Sequence, residues 1–597
     1  HSRYGLWRAV AARAYVTSMA VRNRDIAGIL NEVADLLDIK GANSFRVRSY
    51  RSAARTVEDL DEQVADLVER GSDLSSLPDV GDSIAGKLEQ IVRTGRLEQL
   101  EELRSEMDAD VTELLDIPNI GPAGARKLFT ELGVTDAEGV VRAAEAGKIA
   151  ELDGFGETTQ EHLLRDARRF LERGTRERLP LGEADDVVTP LLDYLNESAS
   201  VKRAVAAGSY RRRKETIGDL DIVAVCDDRS AAMDAFVDYE RVESVVSHGS
   251  TRSTVVLTSG LHVDLRAVGE ESYGAALYYF TGSKQHNIAT RRIAQDRGLK
   301  INEYGVFDGD DHVAGGTEES VFDAIDLPYI VPELREDRGE VEAAQEDGLP
   351  DLIRLGDIRG DLHMHSTATD GKNSIREMAE AAARLGYEYI AITDHSKRVS
   401  MANGLDVERL ERQIDEIERV NGEVDGIRIF SGIEVDILKD GSLDLPDEVL
   451  ARLDVVVASV HYDRDMSETE MTDRIVTAIT DHPVSCVGHP TGRMIGVRDP
   501  YPLDLGTLFE AAVETGVALE LNANPERLDL NDQACRSAVE AGASLAIGTD
   551  AHSTANLGFM RYGVDTARRG WVEASRVLNT LSADDVAHAL SPGGCGG

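Results

Sequence analysis

Cysteine, tryptophan and long apolar runs are all scarce in this chain of 597 residues, which has 4 cysteines and 2 tryptophans. No two cysteines form a CxxC pair, so nothing indicates a disulfide framework, and a reducing cytoplasm is the expected location. A membrane-spanning helix needs a run of about 18 apolar residues, and the sequence has no such run. We therefore expect no membrane partner.

Positive charge is also scarce. The chain has 109 acidic and 65 basic residues, most of the latter Arg, and its net charge is −44. Nucleic-acid-binding proteins are usually basic, so composition alone favours a protein that avoids nucleic acid. Acidic charge spread along a chain that is poor in Lys is instead typical of a halophile, because high salt screens the self-repulsion. The motifs below favour the second interpretation and predict local basic patches.

The length predicts several domains, since one hydrophobic core rarely organises more than about 250–300 residues. Helical periodicity extends over 24–175, strand-like runs follow from about 185, and seven such runs alternate with helices after 357. We expect a multidomain α+β and α/β protein. The predicted parts are 1–18, a disordered extension; 19–100 and 101–180, helical; 181–268 and 269–332, mixed α and β; 333–356, an acidic linker; 357–590, a distorted (β/α)7 barrel; and 591–597, a disordered tail.

Three segments of the helical region repeat an apolar helix end, a tight turn with Gly, and a second helix. They are residues 77–88, 115–128 and 152–164. A turn of this helix-hairpin-helix kind exposes backbone N–H groups that hold a phosphate without reading bases. One segment alone would suit an ordinary turn between packed helices, but three in succession favour binding to a nucleic-acid backbone. The predicted contacts are Gly81, Gly86, Gly121, Gly124, Gly154 and Gly156.

Three acidic residues on two predicted strands indicate a second kind of site. Asp219 and Asp221 are two positions apart, so their carboxylates share a strand face, and Asp264 lies in another strand. Three convergent carboxylates hold two Mg²⁺ ions about 3.5–4 Å apart, which activate a 3′-hydroxyl and stabilise a leaving pyrophosphate. The alternative, a surface turn rich in Asp, is favoured for a lone DxD motif.

The segment before these carboxylates makes the motif more specific. Gly208, Ser209 and Arg212 offer donors for a triphosphate, and Gly218 opens the GDLD sequence. GSxRR followed by GDxD and a later strand Asp resembles the nucleotidyltransferase palm of family X DNA polymerases. The same superfamily contains tRNA nucleotidyltransferases and poly(A) polymerases.

Further segments resemble family X itself. YFTGS at 279–283 is similar to the family segment that lines the sugar side of the nucleotide, and LKINEYGVF at 299–307 resembles its thumb. The resemblance implies nucleotide contacts for Tyr279, Phe280 and Gly282, and positions near the minor groove for Asn287 and Arg291. It also likens 19–100 to the family's lyase-type domain and places Lys87 at the position of its Schiff-base lysine, which implies lyase activity. A lysine that only lies beside DNA explains Lys87 equally well.

Histidine and carboxylate residues follow the predicted barrel strands. Catalytic residues of such barrels gather where strands end, and imidazole with carboxylate suits Zn, Mn or Fe. A lone buried His is usually structural, but here six histidines fall at ends of different strands or in an HxH pair. The candidate metal ligands are His363, His365, Asp370, His395, Glu434, His461, His489, Asp550 and His552. Nine ligands suffice for two or three metal ions, which clamp a phosphate.

These ligands resemble those of the PHP superfamily of phosphoesterases. The resemblance implies one metal held by His363, His365, Glu434 and Asp550, and a second held by Glu434 with His461 and His489. A third would be held by Asp370, His395 and His552. Arg493, in HPTGR, would contact a substrate phosphate, although a surface Arg is an equal alternative.

A palm followed by a PHP domain is the bacterial and archaeal arrangement of family X. It implies a monomeric enzyme that uses dNTPs to fill gapped or nicked DNA, and whose PHP domain acts on 3′ ends or abasic sites. The alternatives are a small-molecule phosphatase, a DNA-end phosphoesterase with an inactive palm, or a DNA-end-binding scaffold. The glycine turns disfavour the first alternative, and the intact carboxylate set disfavours the scaffold.

The net charge of −44 generates a prediction about salt. We expect DNA synthesis to be fastest at elevated KCl, because an acidic surface with little Lys needs screening. The measurement is the rate of primer extension against KCl concentration. A profile that peaks near about 50 mM and is lost by about 1 M would contradict a halophilic surface.

Overall fold

The structure, a computed structural model, describes residues 178–590 without a break and 23–174 with interruptions, the longest between 103 and 114. Residues 1–18, Gly121 and residues 591–597, for which the sequence predicted an extension, a phosphate contact and a tail, lie outside the described residues. The chain divides into two compact units after Arg176. No helix in the described part is long and apolar enough to cross a membrane.

The first unit is helical, as its apolar periodicity predicts. One apolar core lies among the first four helices and a second core among the next three. The turns at Gly81 and Gly156 directly precede the fourth and seventh helices, as in a helix-hairpin-helix motif. The helices are α1 Asn23–Ile39, α2 Ser44–Glu58, α3 Val64–Glu69, α4 Asp82–Thr94, α5 Pro122–Leu132, α6 Ala137–Glu145 and α7 Glu157–Gly174.

The second unit opens with a five-stranded mixed sheet in the order β2-β4-β7-β6-β5, in which only β4 and β7 are parallel. In β7 the buried side chains of Val263, Leu265 and Ala267 alternate with more exposed ones, so one face of the strand joins the core. The strands are β1 Leu179–Pro180, β2 Val201–Ala206, β3 Thr216–Ile217, β4 Asp219–Cys226, β5 Val242–His248, β6 Arg252–Leu257 and β7 His262–Val268. The helices are α8 Leu181–Glu197, α9 Gly208–Arg211 and α10 Arg229–Val237.

Helices and a small antiparallel sheet follow. The helices are α11 Tyr273–Thr281, α12 Lys284–Asp296, α13 Glu318–Asp323 and α14 Glu340–Gln345. The sheet has the order β10-β9-β8 and consists of β8 Leu299–Asn302, β9 Gly305–Asp308 and β10 Asp311–Ala314.

The stretch predicted as a linker, 333–356, is packed into the unit. Arg335 and Glu340 are both 0% exposed. Arg335 donates to Glu318 at 2.7 Å, and Glu340 lies 2.8 Å from Nδ1 of His286. Its acidic composition suggested a solvated connection, but these residues find their charge partners far away in sequence.

Seven parallel strands form the last part of the unit, hydrogen-bonded in chain order. Beyond the first and last strands, Met364 pairs with Ala551, and the Asp550 N–H donates to His363 O at 2.9 Å. The sheet therefore closes into a barrel, as predicted. The strands are β11 Gly360–Asp361, β12 Tyr389–Ile392, β13 Arg428–Asp436, β14 Val455–Ser459, β15 Cys486–Val487, β16 Ala518–Asn522 and β17 Leu545–Gly548.

Helices surround the barrel and close one of its ends. In β12, Tyr389 and Ala391 belong to an inner core, whereas Ile390 and Ile392 belong to the core beneath the helices. The last helix places Val586 in the inner core. The helices are α15 Ile375–Arg384, α16 Val407–Asn421, α17 Asp447–Leu450, α18 Glu468–Asp481, α19 Leu505–Thr515, α20 Asp532–Ala541, α21 Met560–Arg569 and α22 Ala583–Leu590.

Gly548, the last residue of β17, leaves no room for a side chain. A Cβ there would collide with the Glu520 carboxylate and lie 2.6 Å from Cβ of His363. We expect Gly548→Ala to lower the free energy of unfolding by about 1–3 kcal/mol, the usual cost of overpacking. Urea unfolding measures this. Gly558→Ala is the control, since a Cβ at Gly558 would meet nothing within 4 Å. Equal stability of the two variants would contradict the prediction.

Candidate active sites

The mixed sheet brings the three predicted carboxylates together. Asp221 in β4 lies directly opposite Asp264 in the adjacent parallel strand β7. Asp219 is two positions before Asp221 and shares its face, while Leu220 between them is buried in the core. The pairing register, which the sequence leaves open, therefore makes the carboxylates converge.

Burial and the repulsion of its neighbours perturb the pKa of Asp221. Burial, followed by the charges of Asp219 and Asp264, raises the pKa of Asp221 to about 7. Divalent cations would relieve this repulsion. The donor set consists of three carboxylates on one face of two adjacent inner strands. It fits Mg²⁺, which prefers oxygen ligands.

Three residues at this site were not predicted from the sequence. Thr254 Oγ1 donates to Oδ1 of Asp264, and Arg252 Nη2 lies 3.0 Å from Oδ2 of Asp264. Arg266 follows Asp264 by two positions, and its guanidinium lies 4.2 Å from the ring centre of Phe280. Strand alternation could have identified Arg266, because a residue two positions from Asp264 shares its face. Arg252 and Thr254 required the register of β6.

The predicted phosphate-binding turn lies beside these carboxylates. Gly208 and Ser209 begin the short helix α9, and Gly208 has a φ of 61°. A Cβ on Gly208 would lie 3.1 Å from Asp221 Oδ2, so glycine permits both this conformation and the close approach. Gly218 links β3 to β4, where a Cβ would lie 2.7 Å from Arg178 Nη1. Glycine is therefore required at two close contacts, one between Gly208 and Asp221 and one between Gly218 and Arg178.

Arg212, the predicted triphosphate donor, already has partners. Its Nη1 donates to Thr281 O at 2.5 Å, and its Nε donates to Glu336 Oε1 at 3.0 Å. The side chains of Arg212 and Glu336 are 12% and 10% exposed. A nucleotide that binds Arg212 must compete with these two acceptors.

The residues that resemble the family's nucleotide-binding segment form one hydrogen-bonded group. Tyr279 and Phe280 end α11, and a Cβ on Gly282 would lie 3.2 Å from Arg212 Nη1. Asn287 Nδ2 donates to Tyr279 O at 2.8 Å, and Arg291 Nε donates to Asn287 O at 2.9 Å. Asn287 Oδ1 is buried without a hydrogen-bond partner. Their contacts with a nucleotide stay a prediction.

Lys87 lies on α4 of the first unit. Its Nζ donates to Ser83 Oγ at 2.9 Å and lies 5.8 Å from the ring centre of Tyr50. Gly86 on the same helix is open, since a Cβ there would meet nothing within 4 Å. In the later turns, a Cβ on Gly124 would lie 3.5 Å from Phe155 Cζ, and Gly154 has a φ of 83°. Lyase chemistry at Lys87 and DNA contacts at the glycines stay predictions.

The nine predicted ligands of the barrel form one cluster, in which the buried carboxylate of Glu434 contacts five of the others. Glu434, in β13, is 1% exposed. Its oxygens lie 2.7–3.8 Å from imidazole nitrogens of five histidines, which are His363, His365, His395, His461 and His489. On the same side, His365 Nε2 lies 3.2 Å from Asp550 Oδ1, and Asp370 Oδ2 lies 3.5 Å from His552 Nε2.

Three sets of these side chains place ligand atoms close enough to share a metal ion. The sets are His363, His365 and Asp550; His395, Glu434 and His461; and His365, Asp370, His395 and His552. Unlike in the predicted sets, His365 and His395 each belong to two sets, Glu434 belongs to one set instead of two, and His489 belongs to none. His363 Nε2 is buried without a hydrogen-bond partner, as an open metal ligand would be. The donor set therefore fits a multinuclear divalent-metal cluster.

Burial and neighbouring charge set the protonation of the cluster. Burial, followed by the charge of His395, lowers the pKa of His365 to about 4, which favours the neutral, metal-binding imidazole. Burial opposes ionisation of Glu434, but His461 and His395 hold its pKa well below the usual range. The carboxylate is therefore ionised at neutral pH.

Two carboxylates behind the ligands were missed by sequence reasoning. Glu520 Oε1 lies 2.6 Å from Nδ1 of His363, and Asp436 Oδ1 lies 3.1 Å from Nδ1 of His461. Such partners orient a ligating imidazole and increase its basicity. A charged residue within an otherwise apolar buried strand, as in VALELN, is the signal that could have identified Glu520.

Arg493 lies where the barrel contacts the segment around Glu215. Its Nη2 donates to Glu215 Oε2 at 2.7 Å and to Leu528 O at 2.6 Å. Arg527, which was not predicted, has its Nε 3.5 Å from Asp550 Oδ2. The role of Arg493 toward a substrate phosphate stays a prediction.

Models of known families match five parts of the chain. They are a helix-hairpin-helix domain at 21–97, a SAM-like helix-hairpin-helix tandem at 111–169, the DNA polymerase beta palm at 178–294, the DNA polymerase beta thumb at 276–336 and the PHP domain at 361–523. The DNA polymerase/3′-5′ exonuclease PolX of Bacillus subtilis is 40% identical over 95% of this chain and 99% of its own length. The chain belongs to the family X DNA polymerases that carry a C-terminal PHP domain.

Other relatives match parts of this family X chain. A probable phosphatase of Thermoanaerobacter sp. is 28% identical over 37% of the chain and 89% of its own length. DNA polymerase lambda of Arabidopsis thaliana is 24% identical over 52% of the chain and 62% of its own length. Family membership confirms the predicted palm and PHP barrel, and it implies DNA binding and the use of divalent metals.

Glu434 provides a test of the metal centre. We expect Glu434→Gln to lose at least half of the divalent metal that the purified wild type retains, since even changes behind metal ligands cost about 10–100-fold in affinity. Mass spectrometry of the elements measures bound metal. Glu411→Gln is the control, because Glu411 is a half-exposed partner of Arg452 at 2.8 Å. Unchanged metal content in Glu434→Gln would contradict a cluster centred on this residue.

Proposed function

We propose that this protein is a monomeric repair polymerase that fills short gaps in DNA with dNTPs and hydrolyses 3′-terminal nucleotides or blocked 3′ ends. The single observation that carries the proposal is the register of β4 and β7, which places Asp221 opposite Asp264 with Asp219 on the same face. The multinuclear cluster in the same unit of the chain supports the hydrolytic activity.

In the polymerase site Asp219, Asp221 and Asp264 would hold two Mg²⁺ ions. When bound, these ions supply activation of the primer 3′-hydroxyl and charge neutralisation at the leaving pyrophosphate. Thr254 and Arg252 hold the carboxylate of Asp264, which would complete one metal site and help to deprotonate the primer 3′-hydroxyl. Gly208 and Ser209 present backbone N–H groups to the triphosphate, and Arg212 adds a charged donor.

In the barrel these side chains would hold two or three Zn²⁺, Mn²⁺ or Fe²⁺ ions. Such ions would supply Lewis-acid activation of water and a clamp for the phosphoester. Glu520 and Asp436 keep the imidazoles of His363 and His461 oriented toward Glu434. The helix-hairpin-helix turns favour DNA rather than a small phosphomonoester as the substrate.

Two variants separate the two activities on a 5′-labelled primer in a one-nucleotide gap, at high KCl with Mg²⁺ or Mn²⁺. We expect Asp221→Asn to reduce template-directed extension by about 100-fold or more, with shortening of the primer retained. We expect Glu434→Gln to reduce shortening in the absence of dNTPs by a similar factor, with extension retained.

Asp227→Asn is the control for the palm, since Asp227 lies just beyond β4 and pairs with Lys202 at 3.1 Å near the surface. Its extension rate should match that of the wild type. If the wild type shortens primers but extends none at any salt or metal concentration, the protein is a DNA-end phosphoesterase with an inactive palm. If long DNA fails to compete with hydrolysis of p-nitrophenyl phosphate, the barrel acts on small molecules.

A further inference from the structure

Helix α21 of the PHP barrel packs against the phosphate-binding turn of the palm. Tyr562 and Asp185 of α8 share a hydrogen bond at 3.0 Å, and Asp185 also accepts from Tyr210 at 2.7 Å. Asp565 accepts from Arg213 at 2.6 Å. The contacting residues of α21 are three and four positions apart, so one face of this helix meets the turn.

The last residue of that helix reaches the turn directly. Arg569 Nη1 donates to the backbone carbonyl of Arg212 at 2.6 Å and to Glu336 Oε1 at 3.0 Å. Its Nη2 donates to Asp532 at 2.8 Å. Glu336 Oε1 is therefore shared by Arg569 and Arg212, and all three side chains are at most 12% exposed.

This sharing matters when a nucleotide binds. A triphosphate that takes the guanidinium of Arg212 must take it from Glu336, which is then left in the interior with fewer partners. A buried carboxylate without a partner is costly, whereas one that keeps a charged hydrogen bond is much less so. Arg569 is the hydrogen-bonded partner that remains on Glu336 in that state, and Lys214 Nζ lies 3.9 Å from the other carboxylate oxygen. Burial favours protonation of Glu336, but Arg212 and Arg569 hold its pKa below the usual range.

We propose that Arg569, a residue of the PHP barrel, is a positioning residue of the polymerase site that shares Glu336 with Arg212 and thereby sets how readily Arg212 is released to the triphosphate of an incoming nucleotide. The inference rests on the proposed function, since it requires Arg212 to bind the triphosphate. It gives the barrel a second role that is independent of its metal cluster.

The experiment measures KM for dNTP and kcat in single-nucleotide gap filling by the full chain. We expect Arg569→Ala to raise KM by about threefold or more with little change in kcat, because Glu336 then holds Arg212 more tightly. Glu336→Gln should lower KM, since it removes the competing charge. In the Glu336→Gln background, Arg569→Ala should change KM no further.

A matched ion pair on the same helix provides the control. Arg568 donates to Glu333 at 2.7 Å and to Ile353 O at 2.9 Å. Like Arg569, it joins α21 to the stretch that begins at residue 333, but it does not contact the phosphate-binding turn. Arg568→Ala and Glu333→Gln should leave KM for dNTP unchanged. Thermal unfolding of all variants reports any general loss of stability.

Each outcome bears on one claim. An unchanged or lowered KM in Arg569→Ala, or a raised KM in Glu336→Gln, overturns the inference, as does an equal effect of Arg569→Ala in both backgrounds. If Arg569→Ala does not fold, the direction in which Glu336→Gln changes KM for dNTP still decides whether the inference holds. Arg212→Ala tests the premise separately: without a rise in its KM, the proposed role of Arg212 fails, and without extension by the wild type, the proposed function fails.

Discussion

A buried carboxylate needs either a compensating positive charge or hydrogen-bond donors, and several sites of the second unit are organised around that requirement. The chain has far more acidic than basic residues, so many of its carboxylates cannot be paired by side chains. Solvent accommodates most of them on the surface. Those that lie in the interior determine where arginines, imidazoles and metal ions are placed.

Two groups of interior carboxylates have different consequences. Glu318 is held by Arg211 at 2.9 Å and by Arg335 at 2.7 Å, and this pairing fixes the thumb to the palm. Asp221 and Glu434 are instead surrounded by like charges or by imidazoles, and these sites fit divalent cations. The first group stabilises the fold. In the second group the unfavourable interactions that remain would be relieved by metal ions, so they favour metal binding.

Glu336 lies between these two groups, because one of its partners is also a candidate ligand for the nucleotide. The palm and barrel therefore share more than a covalent connection. Arg213 and Asp565 form a second ion pair across the same contact, and Arg493 and Glu215 form a third. The structure joins the turn of the palm site to helix α21 of the barrel.

The sequence by itself determined the family, the mixed and parallel sheets, and which carboxylates and histidines gather at each site, because spacing of two along a strand and repeated strand ends survive without tertiary information. It did not determine which histidines lie close enough to share a metal ion. It could not show that Thr254 faces Asp264 or that Glu520 supports His363, since cross-strand register and barrel closure join residues distant in the chain. It also could not show that the acidic stretch after residue 333 is packed. Only the tertiary structure decided which buried charges neutralise one another, because that depends on distance in space and on burial.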